Sequence, residues 1–281
     1  MAAFELWNAA AECYEKNFTH PVIRIDLSDT ELAVKYIKKY NPDIIIGGPP
    51  CQDFSHAGKR VEAEKANLTI SFAKIIQEIK PDYFVMENVD RVVNSNTYRE
   101  AKQIFTETGY YLSESTLDAS LCGVPQKRKR FFCIGALNKN ISFFYPPIES
   151  YLDEKPLTLH EYFGDTLGFE YYYRHPRNYS RRGIFSIYEP APTMRGMNRP
   201  VPKGYLGHAI DPCQLNDSLR ALTTLERALI QTFPSDFKWA SSKTDMEQMI
   251  GNAVPVKLAE FVAGYLKRCI YNDSKAEKIN A

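Results

Sequence analysis

The chain has 281 residues, 44% of them hydrophobic and 25% charged, which fits one large α/β domain with a smaller lobe and makes a folded, soluble protein the default. No run of about 18 apolar residues exists and the first residues lack the basic-then-apolar order of a signal peptide, so neither membrane nor secretion is implied and the cytoplasm is the expected location. A net charge of +1 argues against a protein that coats nucleic acid through its whole surface, although it leaves a local patch open.

From Glu5 to Ala136 short β-rich runs alternate with helical patterns, which predicts a doubly wound α/β sheet. Val22 to Asp26, Ile44 to Gly47, Tyr83 to Glu87 and Arg130 to Ala136 read as strands. Asn8 to Phe18, Glu31 to Tyr40, Leu68 to Ile79 and Thr97 to Thr108 read as helices, with Ser28 or Asp29 capping the second. In such a sheet the chemistry lies beyond the carboxyl ends of the strands, where Glu5, Asp26, Cys51 and Glu87 all fall.

After Ala136 the periodicity breaks, and residues from about Leu137 to Asn216 are rich in Tyr, Pro and Arg. Order returns at Thr223-Thr224-Leu225-Glu226, whose capping-box spacing opens a helix to about Thr232. Gly251-Asn252 read as a turn, Pro255 as the first turn of a last helix ending near Lys267, and Tyr271 to Ala281 as a frayed tail. The expected organisation is a first domain over residues 1–138, an irregular lobe over 139–216, helices over 217–270 that return to the first domain, and a tail over 271–281.

Cys51 stands in Gly47-Gly48-Pro49-Pro50-Cys51-Gln52. Two glycines permit close backbone approach and two prolines stiffen the turn, so a thiol is presented on a rigid loop at a strand end, as a nucleophile requires. A lone cysteine would more often be a small buried hydrophobe; this context reverses that preference. Glu87-Asn88-Val89 follows the apolar run Tyr83 to Met86 and delivers a carboxyl to the same edge. Thiol and carboxyl together suit attack on C6 of a cytosine with proton donation to N3, and a raised pKa for Glu87 would suit that role. Gln126, Arg128 and Arg130 alternate along an extended run that aims two guanidinium groups the same way, as a phosphate or carboxylate clamp requires, unless the run is only a solvated turn. The six cysteines are scattered with no C-x-x-C pair, so no metal site is expected and free thiols are.

Gly-Pro-Pro-Cys-Gln at 48 to 52, Glu-Asn-Val at 87 to 89, Gln-x-Arg-x-Arg at 126 to 130 and Gly-Asn-Ala-Val-Pro at 251 to 255 resemble, in that order, the motifs of the DNA cytosine-5 methyltransferase family. Glu189-Pro190-Ala191-Pro192-Thr193 is similar to the motif that follows the family's target-recognition region. The resemblance implies an S-adenosylmethionine-dependent Rossmann-like fold with a target-recognition lobe, and methyl transfer to a flipped cytosine in a specific DNA sequence of a bacterial restriction-modification system. It further implies that Cys51 attacks C6, that Glu87 protonates N3, and that Arg128 and Arg130 help fix the base and the loop. Glu5 would take the ribose hydroxyls of the donor, Asp26 the adenine amino group, Leu6 the adenine face, with Pro50 and Asn252 nearby. For Glu5 and Asp26 the residues alone also allow plain strand-end polarity.

The family's glycine loop should precede Glu5 by about 20 residues, yet only Met1 to Phe4 precede it and no Gly-x-Gly occurs in the chain. The expectation is that a second polypeptide supplies the strand, loop and helix, or that the chain starts downstream of them, and that these residues alone bind the donor poorly.

Between Tyr171 and Lys203 seven basic residues face one acid, Glu189, which predicts phosphate contact without deciding between duplex DNA and RNA; the resemblance implies double-stranded DNA, contacted through Arg174, Arg177, Arg181, Arg182, Arg195 and Arg199, with Gln126 beside them. The interleaved Tyr171, Tyr172, Tyr173 and Tyr179 suit either stacking or core packing. A cognate restriction endonuclease is an expected member of the same system. A tRNA cytosine methyltransferase and a catalytically silent DNA-binding subunit are the competing readings, whereas a zinc deaminase would need a Pro-Cys-x-x-Cys pair that the chain lacks.

Overall fold

The computed structural model describes residues 1–50, 68–176, 178, 181–239 and 242–279. They form two compact units that interleave along the chain: the first holds Met1–Leu117, Lys129–Tyr151 and the residues from Gly264 onward, the second Asp118–Arg128 and Leu152–Ala263. The chain thus passes between the two units near residues 118, 129, 152 and 264.

In the first unit, strand β1 (Ala3–Phe4) pairs in parallel with β2 (Val22–Ile23), joined by helix α1 (Asn8–Asn17). Helix α2 (Thr30–Ile37) starts where Asp29, rather than Ser28, caps it by accepting from the Leu32 N–H at 3.0 Å. A 3₁₀ turn at Lys38–Tyr40 closes it, with Asn41 in the left-handed region that asparagine tolerates. Strand β3 (Ile44–Gly47), helix α3 (Leu68–Ile79), strand β4 (Tyr83–Val89), helix α4 (Asn96–Glu107) and strand β5 (Tyr110–Asp118) follow.

Two strands flank the start of the next segment, β6 (Gln126–Lys127) and β7 (Lys129–Leu137). The main sheet runs β3-β4-β7-β5, with β3 parallel and β7 antiparallel to β4. Its β5 was not legible as a strand, because Tyr110–Asp118 mixes Ser, Glu and Thr among its apolar residues and buries only part of one face. Phe84 and Met86 of β4 and Phe131 and Cys133 of β7 pack on Ala73 and Ile76 of α3 and on Tyr98, Ala101 and Phe105 of α4. That layer fixes the strand ends on which Glu87 and the Gly47-Gly48 turn sit.

The second unit is built from short pieces. Strand β8 (Tyr171–Tyr173) pairs antiparallel with β9 (Ile184–Ser186), and β10 (Ala191–Pro192) pairs in parallel with β6. Helix α5 (Leu159–Phe163) and helix α6 (Thr224–Ile230) both open with capping boxes, Thr158 with Glu161 and Thr223 with Glu226. Two helices close the chain, α7 (Lys243–Asn252) and α8 (Val256–Ile279). Gly251-Asn252 is therefore the last turn of a helix and not a free turn, and the stretch from Tyr271 continues α8 where fraying was expected. Leu159, Tyr172, Phe185, Ile187, Met194, Leu222 and Ile230 make this unit's main core.

Candidate active site

At the end of β3 the chain must pass close to a ring. A Cβ on Gly47 would meet Phe72 at 2.6 Å, so only glycine fits there. Gly48 then runs alongside Glu87, whose Oε2 would lie 3.1 Å from a Cβ at that position. The next residue is pinned: buried Asn88 donates through Nδ2 to the Pro49 carbonyl at 2.9 Å, while its Oδ1 accepts from the Val89 N–H at 2.8 Å. A β4 side chain thus fixes the loop that leads to Cys51. Cys51 itself lies outside the described residues, as does Arg177. Pro50 is exposed at the end of the described loop.

Glu87 sits opposite Phe132 and Arg130 opposite Val89, so the acid and the guanidinium are diagonal neighbours on one face of the sheet. Arg130 Nε lies 2.9 Å from Glu87 Oε1, with both side chains mostly buried. Burial pulls the Arg130 pKa down, while the Glu87 and Asp90 carboxylates oppose that shift. The guanidinium remains a cation and orients the carboxylate beside the Gly48-Pro49 turn.

Beyond the ends of β1 and β2 stand two acids. Glu5 Oε1 accepts from the Trp7 N–H at 2.8 Å, and Asp26 Oδ1 accepts from the Ser28 N–H at 2.8 Å. Leu6, between Glu5 and Trp7, is 60% exposed and offers an apolar surface beside the first carboxylate. Two carboxylates thus stand just beyond the ends of the paired strands β1 and β2, with Leu6 exposed beside the first.

In the second unit the basic motif has a different geometry from the expected one. The strand breaks at Arg128, so Arg128 and Arg130 do not form one clamp. Arg128 is 1% exposed and donates to the Met194 carbonyl at 2.9 Å, the Gly251 carbonyl at 2.8 Å and the Ala253 carbonyl at 3.0 Å. It brackets Asn252, whose exposed side chain accepts from Gln248 at 2.8 Å. Gln126 is fully buried, donating to Gln231 at 2.8 Å and accepting from the Met194 N–H at 2.9 Å; it ties β6 into the unit's interior and offers no edge to DNA.

The arginines expected to contact DNA divide in the same way. Arg174 donates to the Thr193 carbonyl at 2.8 Å and Arg195 to the His175 carbonyl at 2.7 Å. Arg227 donates to the Arg195 carbonyl, so the three successive carbonyls of Thr193, Met194 and Arg195 each accept from a different guanidinium. Arg182 is engaged by Glu189 on both its terminal nitrogens and lies over the Phe185 ring, 4.2 Å from the centroid, which makes it a structural residue of this unit. Arg181 and Arg199 are exposed. A cleft lined by Arg174, His175, Arg195, Asn198 and Arg199 gathers positive charge, and burial together with Arg199 and Arg195 holds the His175 pKa below its usual value.

Sequence reasoning missed Asn88 as the loop anchor, Gln231, and the buried pair of Arg227 with Glu247. Asn88 carried a signal, since it follows Glu87 directly at the strand end. Gln231 and Glu247 lie in unremarkable helical sequence, and only packing identifies them.

A model of the C-5 cytosine-specific DNA methylase family matches residues 1–268. The chain is 54% identical over 264 residues to the Type II methyltransferase M.HindV of Haemophilus influenzae, covering 93% of this chain and 87% of that protein. It is 50% identical over 268 residues to the Type II methyltransferase M.HgiDI of Herpetosiphon aurantiacus, covering 95% and 86%. The crystal structure of the S. pombe Dnmt2 methyltransferase shares the fold, with a TM-score of 0.70 at 18% identity over 96% of this chain and 90% of that one. With motifs in family order, a strand-end acid oriented by Arg130, and a family match over nearly its full length, the chain belongs to the C-5 cytosine-specific DNA methylases.

Proposed function

We propose that this chain methylates C5 of a flipped cytosine within a specific duplex DNA sequence, as the modification enzyme of a bacterial restriction-modification system in the cytoplasm. The observation that carries the reading is the pairing of a pinned Gly48-Pro49 turn with the Arg130-oriented Glu87 carboxylate at one strand edge.

Cys51 adds as the thiolate, its proton having gone to solvent, to C6 of the base, while Glu87, which takes up a proton from solvent as the base enters, passes that proton to N3 and the C5=C6 electron pair becomes available at C5. Family membership implies S-adenosylmethionine as the methyl donor, which when bound supplies an electrophilic methyl group. Glu5 and Asp26 bind its hydroxyl and amino groups, Leu6 lies against its ring, and Pro50 extends the lining. Water then accepts the C5 proton, the C5=C6 bond re-forms with expulsion of the Cys51 thiolate, and the Glu87 carboxylate takes back the N3 proton. Arg128 acts as a positioning residue through the Gly251 and Ala253 carbonyls.

Arg174, Arg181, Arg195 and Arg199 contact the DNA, with Arg177 of the same basic run. Phosphate is the expected partner for the exposed Arg181 and Arg199. A cognate endonuclease cleaves the unmodified sequence. The test is expression in a bacterial host without cytosine-5 methylation, followed by bisulfite sequencing of the host DNA. One short sequence methylated throughout, and unmethylated with Cys51→Ser, is expected; unmethylated DNA throughout, or methylation that persists in the serine variant, contradicts the reading.

A further inference from the structure

The cleft of the second unit collects cations around one histidine. Arg174 and His175 enter it just after β8, Arg195 and Arg199 from the segment after β10, and Arg227 from α6. Buried Tyr173, Met194 and Leu222 complete an apolar part of its lining. These pieces are locked to one another. Arg195 donates to the His175 carbonyl at 2.7 Å, Arg227 donates to the Arg195 carbonyl, and a Cβ on Gly251 of α7 would stand 2.5 Å from the Arg195 carbonyl carbon. The charges are therefore held in place beside a low-dielectric wall that screens them poorly.

The balance of charge is one-sided. Among the described residues no acid lines the cleft, and Glu247 of α7, which stands behind it, is paired with Arg227 and accepts from Thr224 at 2.6 Å. His175 faces Arg199 and Arg195, and its Nδ1 lies 3.2 Å from the Tyr173 hydroxyl. Burial, then the Arg199 and Arg195 charges, hold its pKa below the usual value, so the ring is neutral at neutral pH. An anion between these guanidinium groups cancels the repulsion that keeps the second proton off the ring.

We propose that the cleft seats one backbone phosphate of duplex DNA, and that His175 takes up a proton from solvent as that phosphate enters and becomes its ligand. The phosphodiester stays a monoanion, no covalent bond changes, and the proton returns to solvent when the DNA leaves. The imidazolium has two N–H donors and a positive charge, so it joins Arg195 and Arg199 in holding the anion. Phosphate fits this lining better than a base edge, because base edges present donors as well as acceptors and the cleft offers them no carboxylate. Since the complex holds one proton more than the free chain, affinity rises as pH falls toward the free histidine pKa and levels off below it. The inference rests on the reading of this unit as the one that contacts DNA, and is independent of the methyl-transfer steps.

The experiment measures binding of the full chain to a fluorescent DNA duplex from about pH 6 to about pH 8.5 at several fixed salt concentrations. The unmodified chain should bind about five-fold or more tighter at the acid end, with a salt slope steeper there by up to about 0.9. His175→Gln should show the weak, alkaline-end affinity at every pH, and His175→Arg the tight, acid-end affinity at every pH. An unmodified chain indifferent to pH, or a His175→Gln chain with the same pH dependence, would overturn the proposal. Proton NMR of the His175 ring separates two sources of phosphate: the duplex should raise its titration midpoint more than inorganic phosphate does at the same ionic strength. An equal rise with inorganic phosphate would assign the cleft to a free anion and overturn the assignment to DNA. A duplex bound without any role for His175 counts against this inference alone, whereas a chain that binds no duplex at any pH counts against the DNA reading as well.

Discussion

At the scale of single residues, arginine here works mainly as a cross-linker of backbone. Arg128 satisfies three carbonyls at once, a task its planar fork of donors suits and a lysine ammonium does not. Arg128→Ala leaves buried acceptors at Met194, Gly251 and Ala253 unpaired, and is expected to destabilise the protein by about 3 kcal/mol or more in urea unfolding, with Arg128→Lys recovering less than half. A loss below about 1 kcal/mol for the alanine variant would show that water replaces the guanidinium. Two thiols make a prediction of opposite kind. Burial pushes Cys133 up to about 12, and burial with Asp153 and Asp118 nearby pushes Cys122 up to about 12. In the unfolded chain thiols ionise near about 8.5. The folded pKa values are raised, so the stabilisation is fully present below about pH 8.5 and is lost as pH rises toward 12, because only the unfolded chain releases the protons. Unfolding midpoints should fall between pH 7.5 and pH 9.5, by about 1 kcal/mol per thiol, and serine at Cys133 should remove part of that slope.

At the scale of elements, the parts legible in the sequence are those with strong local signals. Ile44 to Gly47 and Leu68 to Ile79 have the observed bounds, since continuous β-branched residues and a 3.6-residue apolar period leave little choice. The capping box at Thr223 and Glu226 starts α6 as expected. Helix α7 was invisible, because its polar face is most of its surface and it ends in Gly-Asn, which reads as a turn. The reason for that glycine is tertiary. A Cβ on Gly251 would stand 2.1 Å from the Gly196 nitrogen and 2.5 Å from the Arg195 carbonyl carbon, so α7 meets the Arg195-Gly196 backbone directly. Gly251→Ala should therefore destabilise by about 2–4 kcal/mol in thermal or urea unfolding, although alanine is the better helix former. Stabilisation by that change would mean that α7 and the Arg195-Gly196 segment can separate freely. In the same way Gln126 and Arg182 read as DNA contacts from their basic surroundings, while their partners, Gln231 and Met194 for one and Glu189 and Phe185 for the other, come from elsewhere in the chain and cannot be seen in a window of sequence.

At the scale of the whole molecule, the chemistry divides between residues that react and residues that hold backbone in place. Asn88 holds Pro49, Arg130 holds Glu87 and Arg128 holds the flanks of Asn252, so side chains of the Glu-Asn-Val and Gln-x-Arg-x-Arg motifs fix backbone and carboxylate groups in place. The charge pattern follows the same division. With a net charge of +1, affinity for DNA has to come from a local patch such as the cleft that gathers Arg174, Arg195 and Arg199. In the proposed reaction Cys51 forms a bond to C6 of the target cytosine, and covalent trapping on DNA that carries 5-fluorocytosine, in the presence of S-adenosylmethionine, measures that bond directly. A denaturation-resistant complex whose tryptic peptide carries the nucleotide on Cys51, absent from Cys51→Ser and strongly reduced in Glu87→Gln, is the predicted result. A complex cross-linked through another residue, or methyl transfer that proceeds in Cys51→Ser at the rate of the unmodified chain, would contradict it.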